Sequence, residues 1–214
     1  MKLEKKFLEF CNSKKLEINS NQIEIINALE MFQNNNFDIS FLSSFFKKES
    51  KLGFYLYGDV GVGKTMILDF FFKQLEIKKT KVHFNEFMIN FHDFMFNNDK
   101  KDKAIEIFVN NLRNKAKILF FDEFQVTNIV DAMILGRLFE KIFEKKICVL
   151  FSSNIKINDL YEDGLQRDQF LPFLKILKEN SIEKELSINE DYRINKKDTL
   201  NRFLSPLNET TNFK

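Results

Sequence analysis

Gly58-Asp59-Val60-Gly61-Val62-Gly63-Lys64-Thr65 follows the spacing G-x-x-x-x-G-K-[ST], a pattern whose residue types suit a polyphosphate. Glycines let successive backbone N–H groups turn toward a phosphate with no Cβ in the way. Lys64 supplies a cation for the β- and γ-phosphates, and the Thr65 hydroxyl supplies an oxygen for Mg2+. Met66 leads into a helix whose positive dipole end faces the same anion. The chain has 6 Gly, and three of them fall in this loop, so the loop is a specific feature of a glycine-poor sequence. A second element, Phe120-Phe121-Asp122-Glu123, closes an apolar run with two carboxylates. Asp122 is the candidate Mg2+ holder, and Glu123 is the candidate base for an attacking water. Phe151-Ser152-Ser153-Asn154 closes another apolar run with a neutral polar group that could sense a γ-phosphate, its competing role being a helix cap. Arg167 stands where oligomeric ATPases carry an arginine finger for a neighbouring subunit, against the plainer role of a surface cap. Arg137 and Arg193 are further candidates for nucleotide or interface contacts. His83 and His92, the only two histidines, have no Cys or carboxylate cluster beside them and read as packing or hydrogen-bonding residues.

These groups need a scaffold that delivers them to one place. Residues 53–57 read as a buried strand ahead of the loop, and 66–72 as the helix after it. Short apolar segments at 81–84, 117–121 and 147–151 read as further strands, the last two as central parallel ones. Amphipathic segments run to Phe96, over 103–114 and over 127–143. Residues 22–32 carry helical spacing that Asn34-Asn35-Asn36 is expected to end. From Ile182 onward the chain shows short alternating segments. Strands alternating with helices predict an α/β fold with a parallel sheet covered on both faces. At 214 residues one such domain is expected. We divide it into an amino-terminal helical segment (1–50), a P-loop core (51–195) and a tail (196–214).

Composition narrows the partners. Lys+Arg 33 against Asp+Glu 31 gives a net charge of +2, and the lysines lie in scattered pairs among acids. That pattern reads as a solvated surface, so nucleic acid is not the expected partner. Cys11 and Cys148 lie in no C-x-x-C motif and read as reduced thiols of a cytosolic protein. Met1-Lys2-Leu3-Glu4-Lys5-Lys6 is charged and no apolar leader core follows it. No run approaches the roughly 18 apolar residues of a membrane span, so a cytoplasmic protein is expected, reaching a membrane only through a partner. The 27 Phe, with no Trp, are read as codon composition rather than a base-stacking platform.

The same residues carry a family resemblance. The chain resembles the ZapE-type (cell-division) ATPases of the AAA+ class, which have mitochondrial relatives. The match runs through 53–66, Val82-His83-Phe84-Asn85-Glu86-Phe87-Met88, 121–127, 131–139, Ser153-Asn154, Gly164-Leu165-Gln166-Arg167 with 170–173, and Asp191-Tyr192-Arg193. The resemblance implies a P-loop NTPase of AAA+ type, a three-layer αβα core with parallel strand order 5-1-4-3-2. It implies Mg-ATP hydrolysis in a homo-oligomer, as in a hexamer, coupled to remodelling a client protein. In bacteria that client would be the division GTPase FtsZ. Asp59 and Val62 stand where that family often has Gly and Arg. The chain ends soon after Asp191-Tyr192-Arg193, where family members continue into a helical lid, so a short form is expected. A helicase-loader-like ATPase on nucleic acid and a nucleotide-binding module without turnover are the competing readings.

Overall fold

Three continuous apolar runs form the middle of the sheet in a computed structural model of the chain, which describes residues 2–37 and 50–187. These are β1 (Gly53–Tyr57), β3 (Ile118–Asp122) and β4 (Cys148–Ser153), buried along almost their whole length. The edges are β2 (Lys79–His83) and β5 (Ser181–Glu185), whose half-exposed patterns suit edge positions. All pairings are parallel, in the order β2-β3-β4-β1-β5. Read from the other edge, this is the expected 5-1-4-3-2 order.

Parallel pairing requires a crossover between successive strands, and each is a helix. α3 (Lys64–Gln74) follows β1, and α4 (Phe84–Asn97) and α5 (Ala104–Lys115) follow β2. α6 (Ile129–Glu144) follows β3, and α7 (Leu171–Asn180) follows β4. Right-handed crossovers put α3 on one face and α4 to α7 on the other. The packing agrees: α4, α5, α6 and α7 touch in series, while α3 touches the amino-terminal helices.

Those helices are α1 (Leu3–Lys14) and α2 (Ser20–Phe37). They belong to the same apolar core as the sheet through Leu3, Phe7, Ile25, Ile26, Leu29 and Phe32. Phe7 meets Phe70 edge-on at 5.1 Å between centroids, and Phe32 meets Phe54 at 5.9 Å. α2 does not stop at Asn34-Asn35-Asn36 but continues to Phe37. The reason is local: Asn36 Nδ2 donates back to Phe32 O at 2.9 Å and also to Lys51 O at 3.1 Å, so the asparagine is paid in hydrogen bonds without breaking the helix. The strand expected at 81–84 begins and ends earlier, because Phe84 starts α4. Most phenylalanines fill the interior, and Phe121, Phe124, Phe139 and Phe151 form one aromatic cluster between β3, β4 and α6. Among the described residues no helix is long and apolar enough to cross a membrane. Arg193, the Asp191-Tyr192-Arg193 element and the 196–214 tail lie outside the described residues.

Candidate functional site

Parallel strands present all their carboxyl ends on one edge, and β1, β3 and β4 are neighbours there. The loop from Gly58 to Gly63 leaves β1 with Gly61 at φ +84° and Gly63 at φ +98°, conformations that L side chains rarely adopt. Gly58 answers a different need: a Cβ there would lie 2.1 Å from Leu186 O, on the segment just past β5. Gly63 caps α3, whose first turn is Lys64, Thr65 and Met66.

Lys64 is buried, and its Nζ donates to Gly58 O at 2.8 Å and Asp59 O at 2.7 Å. Burial lowers its pKa from the ordinary lysine value, and the carboxylates of Asp59 and Asp122 offset part of that. Thr65 Oγ1 donates to Asp122 Oδ1 at 3.0 Å and lies 3.4 Å from Ser152 Oγ. Three oxygens of hydroxyl and carboxylate type therefore converge at the foot of the loop. Such hard donors suit Mg2+ with several of its waters retained, so Thr65 and Asp122 fit the proposed metal role.

Glu123 has φ +55°, a left-handed conformation that costs a non-glycine residue about 1–2 kcal/mol. The next residue holds it there. Phe124 N donates to Ser152 O at 2.7 Å, and Ser153 Oγ donates to Phe124 O at 2.8 Å. The kink leaves the Glu123 side chain 78% exposed, with Oε2 4.0 Å from His83 Nδ1. Ser153 Oγ also accepts from Ile155 N at 3.1 Å, and Tyr55 Oη donates to Ile155 O at 2.7 Å. Burial raises the pKa of Tyr55, so this donor keeps its proton at neutral pH. The turn that carries Asn154 is thus fixed from both sides.

An open cavity of about 380 Å³ joins these parts. Val60, Gly61, Gly63, Lys64, Thr65 and Met66 line it from the loop, and Glu123, Ser152 and Asn154 line it from β3 and β4. Gly58, Asp59 and Val62 do not. The first two carry the carbonyls that hold Lys64, and Val62 is buried in the core. Arg167 is not brought to this cavity. It opens a short turn ahead of α7, after Gln166 at φ +56°, and one guanidinium nitrogen donates to Asn158 O at 2.7 Å. Its Nε is buried with no hydrogen-bond partner. A Cβ at Gly164 in this turn would collide with the Tyr161 ring as it stands. Arg137 is exposed on α6.

Lys81 went unnoticed in the sequence, whereas His92 takes the hydrogen-bonding role expected of it. Lys81 on β2 reaches Asp122 Oδ2 at 3.1 Å and Asp69 Oδ1 at 2.8 Å. Burial works against its charge, but the hydrogen bonds to Asp69 and Asp122 outweigh it and raise the pKa. A lone Lys in an edge strand gives no sequence signal of this. His92 pairs with Asp131 at 2.6 Å, and Asn128 donates to the other Asp131 oxygen at 2.6 Å while capping α6. This knot, closed on the buried Asp131, gives the start of the 131–139 block a structural role.

Residues 10–214 match the family model described as AFG1-like ATPase. Over 160 residues the chain is 34% identical to the Escherichia coli (strain K12) cell division protein ZapE, covering 74% of this chain and 43% of that protein. It is 36% identical over 154 residues to the Danio rerio lactation elevated protein 1 homolog B, covering 66% of this chain and 30% of that one. The chain therefore spans less than half the length of these relatives. Among solved structures, AMPPCP-bound DnaA from Aquifex aeolicus superposes with a TM-score of 0.57 at 16% identity, over 92% of this chain and 56% of that one. The DnaC helicase loader does so at 0.52 and 15% identity, over 79% and 92%. These two likenesses are of fold.

Proposed function

The chain belongs to the AFG1-like ATPase family, and on that premise we propose that it hydrolyses ATP with Mg2+ to remodel a partner protein. One observation carries the reading. Glu123 is held in a strained left-handed turn at the rim of the same cavity that the P-loop and Asn154 line. Backbone strain of this kind persists where the surroundings over-determine it, as at catalytic positions. Thr65 and Asp122 would hold Mg2+, which when bound neutralises phosphate charge. Lys64 and the loop N–H groups bind and orient the β- and γ-phosphates. Glu123 takes a proton from the attacking water, and Asn154 positions that water against the γ-phosphate. Arg167 serves a neighbouring copy of the chain, because within its own copy it does not line the cavity. By the same reasoning the working form is a homo-oligomer, and the ZapE likeness makes the cytoplasm its place and FtsZ the client to try first.

The test is the ATPase rate per subunit against protein concentration, with Mg2+ present and Lys64→Met as the control. The expected result is a specific activity that rises with concentration and is lost in the control. A rate that stays at background while ATP still binds would overturn turnover and leave a nucleotide-binding module.

A further inference from the structure

Asp122 divides its two oxygens between different partners. Oδ1 accepts from Thr65 Oγ1 at 3.0 Å, and Oδ2 faces Lys81 Nζ at 3.1 Å. Lys81 is itself anchored twice more. Its ammonium donates to Asp69 Oδ1 on α3 at 2.8 Å, and it lies 4.7 Å from the centroid of the Phe120 ring. Three elements, β2, α3 and β3, therefore fix where this one cation sits. A bond to Asp69 alone would be an ordinary surface ion pair, which adds little to stability. Sharing the ammonium with Asp122, only 8% exposed, makes Lys81 part of the electrostatics of the phosphate site.

We propose that Lys81 is a positioning residue for the metal-binding carboxylate. It holds one oxygen of Asp122, leaves the other toward Thr65, and keeps the site from capturing a divalent cation before polyphosphate arrives. The inference rests on the reading of Asp122 as the Mg2+ holder given above. Its physical basis is charge. Asp69 and Asp122 together present two negative charges, and the ammonium between them removes one. A divalent ion approaching without nucleotide would meet a single net negative charge instead of two. A nucleotide brings phosphate oxygens and negative charge of its own, which outweigh the single ammonium. Metal therefore enters with the nucleotide rather than ahead of it.

Lys81→Met keeps the methylene stem over Phe120 and removes the charge. With Mn2+ as the probe, electron paramagnetic resonance reports free metal directly and needs no turnover. Without nucleotide, Lys81→Met is expected to bind Mn2+ at least about tenfold more tightly than the wild type. Adding Asp69→Asn to that variant should bring the affinity back toward the wild type, and Lys81→Arg should leave it there. If Lys81→Met and the wild type bind Mn2+ alike without nucleotide, the inference falls. Should Lys81→Met melt early by circular dichroism, Lys81→Gln, which also drops the charge, repeats the comparison. A fluorescent ATP analogue with Mg2+ separates the two readings. If the wild type does not bind it, the nucleotide site itself is wrong; if it binds while Mn2+ affinities are unchanged, only the role of Lys81 is.

Discussion

At the P-loop, Lys64, Thr65, Asp122, Ser152 and Ser153 all have partners within the chain. At the Arg167 turn, one guanidinium nitrogen has a carbonyl partner and Nε is buried with none. In the first region the polar side chains find their partners within their own chain. The second spends glycine and left-handed backbone to hold an arginine away from the chain's own cavity. On the proposed reading, the group that this arginine serves lies on another subunit. The contrast predicts that substitutions in the first region act on each chain alone, and substitutions in the second act only on an assembly.

Glu123→Gln gives the largest effect. It keeps the shape of the rim and removes the base, so turnover should fall about 10³-fold while ATP binding is retained. Stopped-flow or steady-state phosphate release against a binding isotherm measures both. Intact turnover would show that another group activates water and would dissolve the first half of the comparison.

Arg167→Ala comes next, with a loss of about 10²-fold in turnover, as for removal of one preorganised transition-state donor, and unchanged ATP affinity per chain. The sharper form of the test is a mixture. Subunits carrying Glu123→Gln keep their arginine, and subunits carrying Arg167→Ala keep their base. Mixing two nearly inactive proteins should restore measurable activity if the arginine acts across an interface. No recovery in an assembled mixture would return Arg167 to a structural role within its own chain.

The two regions were also unequally legible. The P-loop announces itself because its chemistry needs fixed residue types at fixed spacing, and β1, β3 and β4 are legible because a central parallel strand is apolar on both faces. Strand order, by contrast, was implied by family resemblance, since local sequence does not encode which strands are neighbours. β5 was visible only as alternation beginning at Ile182, because an edge strand of five residues with one buried position looks like a loop. Lys81 was invisible for a related reason: its partners Asp69 and Asp122 come from α3 and β3, and only the fold brings the three together. The 1–50 segment read as an addition to the core, whereas α1 and α2 contribute seven residues to it, because amphipathic spacing reports that a face is buried and not against what.

Gly58→Ala tests how far the loop depends on the chain beyond β5. The new Cβ would lie 2.1 Å from Leu186 O, a backbone atom that cannot swing aside. Leu186 N also donates to Tyr57 O at 2.7 Å, so relief of the clash would strain the β1–β5 edge. A loss of about 2 kcal/mol in urea unfolding is expected, with weaker ATP binding. Unchanged stability would mean that the segment after β5 moves freely and that the loop is built by β1 and α3 alone.

The smallest effect lies at the opposite end of the sheet and serves as the control for all of these. Cys148 opens β4 far from the cavity, and burial pushes its pKa from 9.0 up to about 12, with Arg113 pulling weakly the other way. A raised folded-state pKa means that the folded chain holds its proton where the unfolded chain has released it. The stabilisation is therefore complete below pH 9 and is lost as pH rises toward about 12. By pH ~10 the loss attributable to this thiol is about 1.4 kcal/mol. Cys148→Ala, compared with the wild type under reducing conditions, should flatten the fall of Tm above pH ~9 while leaving ATP affinity at neutral pH unchanged. If it instead lowers ATP affinity, the two ends of the sheet are coupled, and the assignment of β4 as a rigid carrier of Asn154 must be given up.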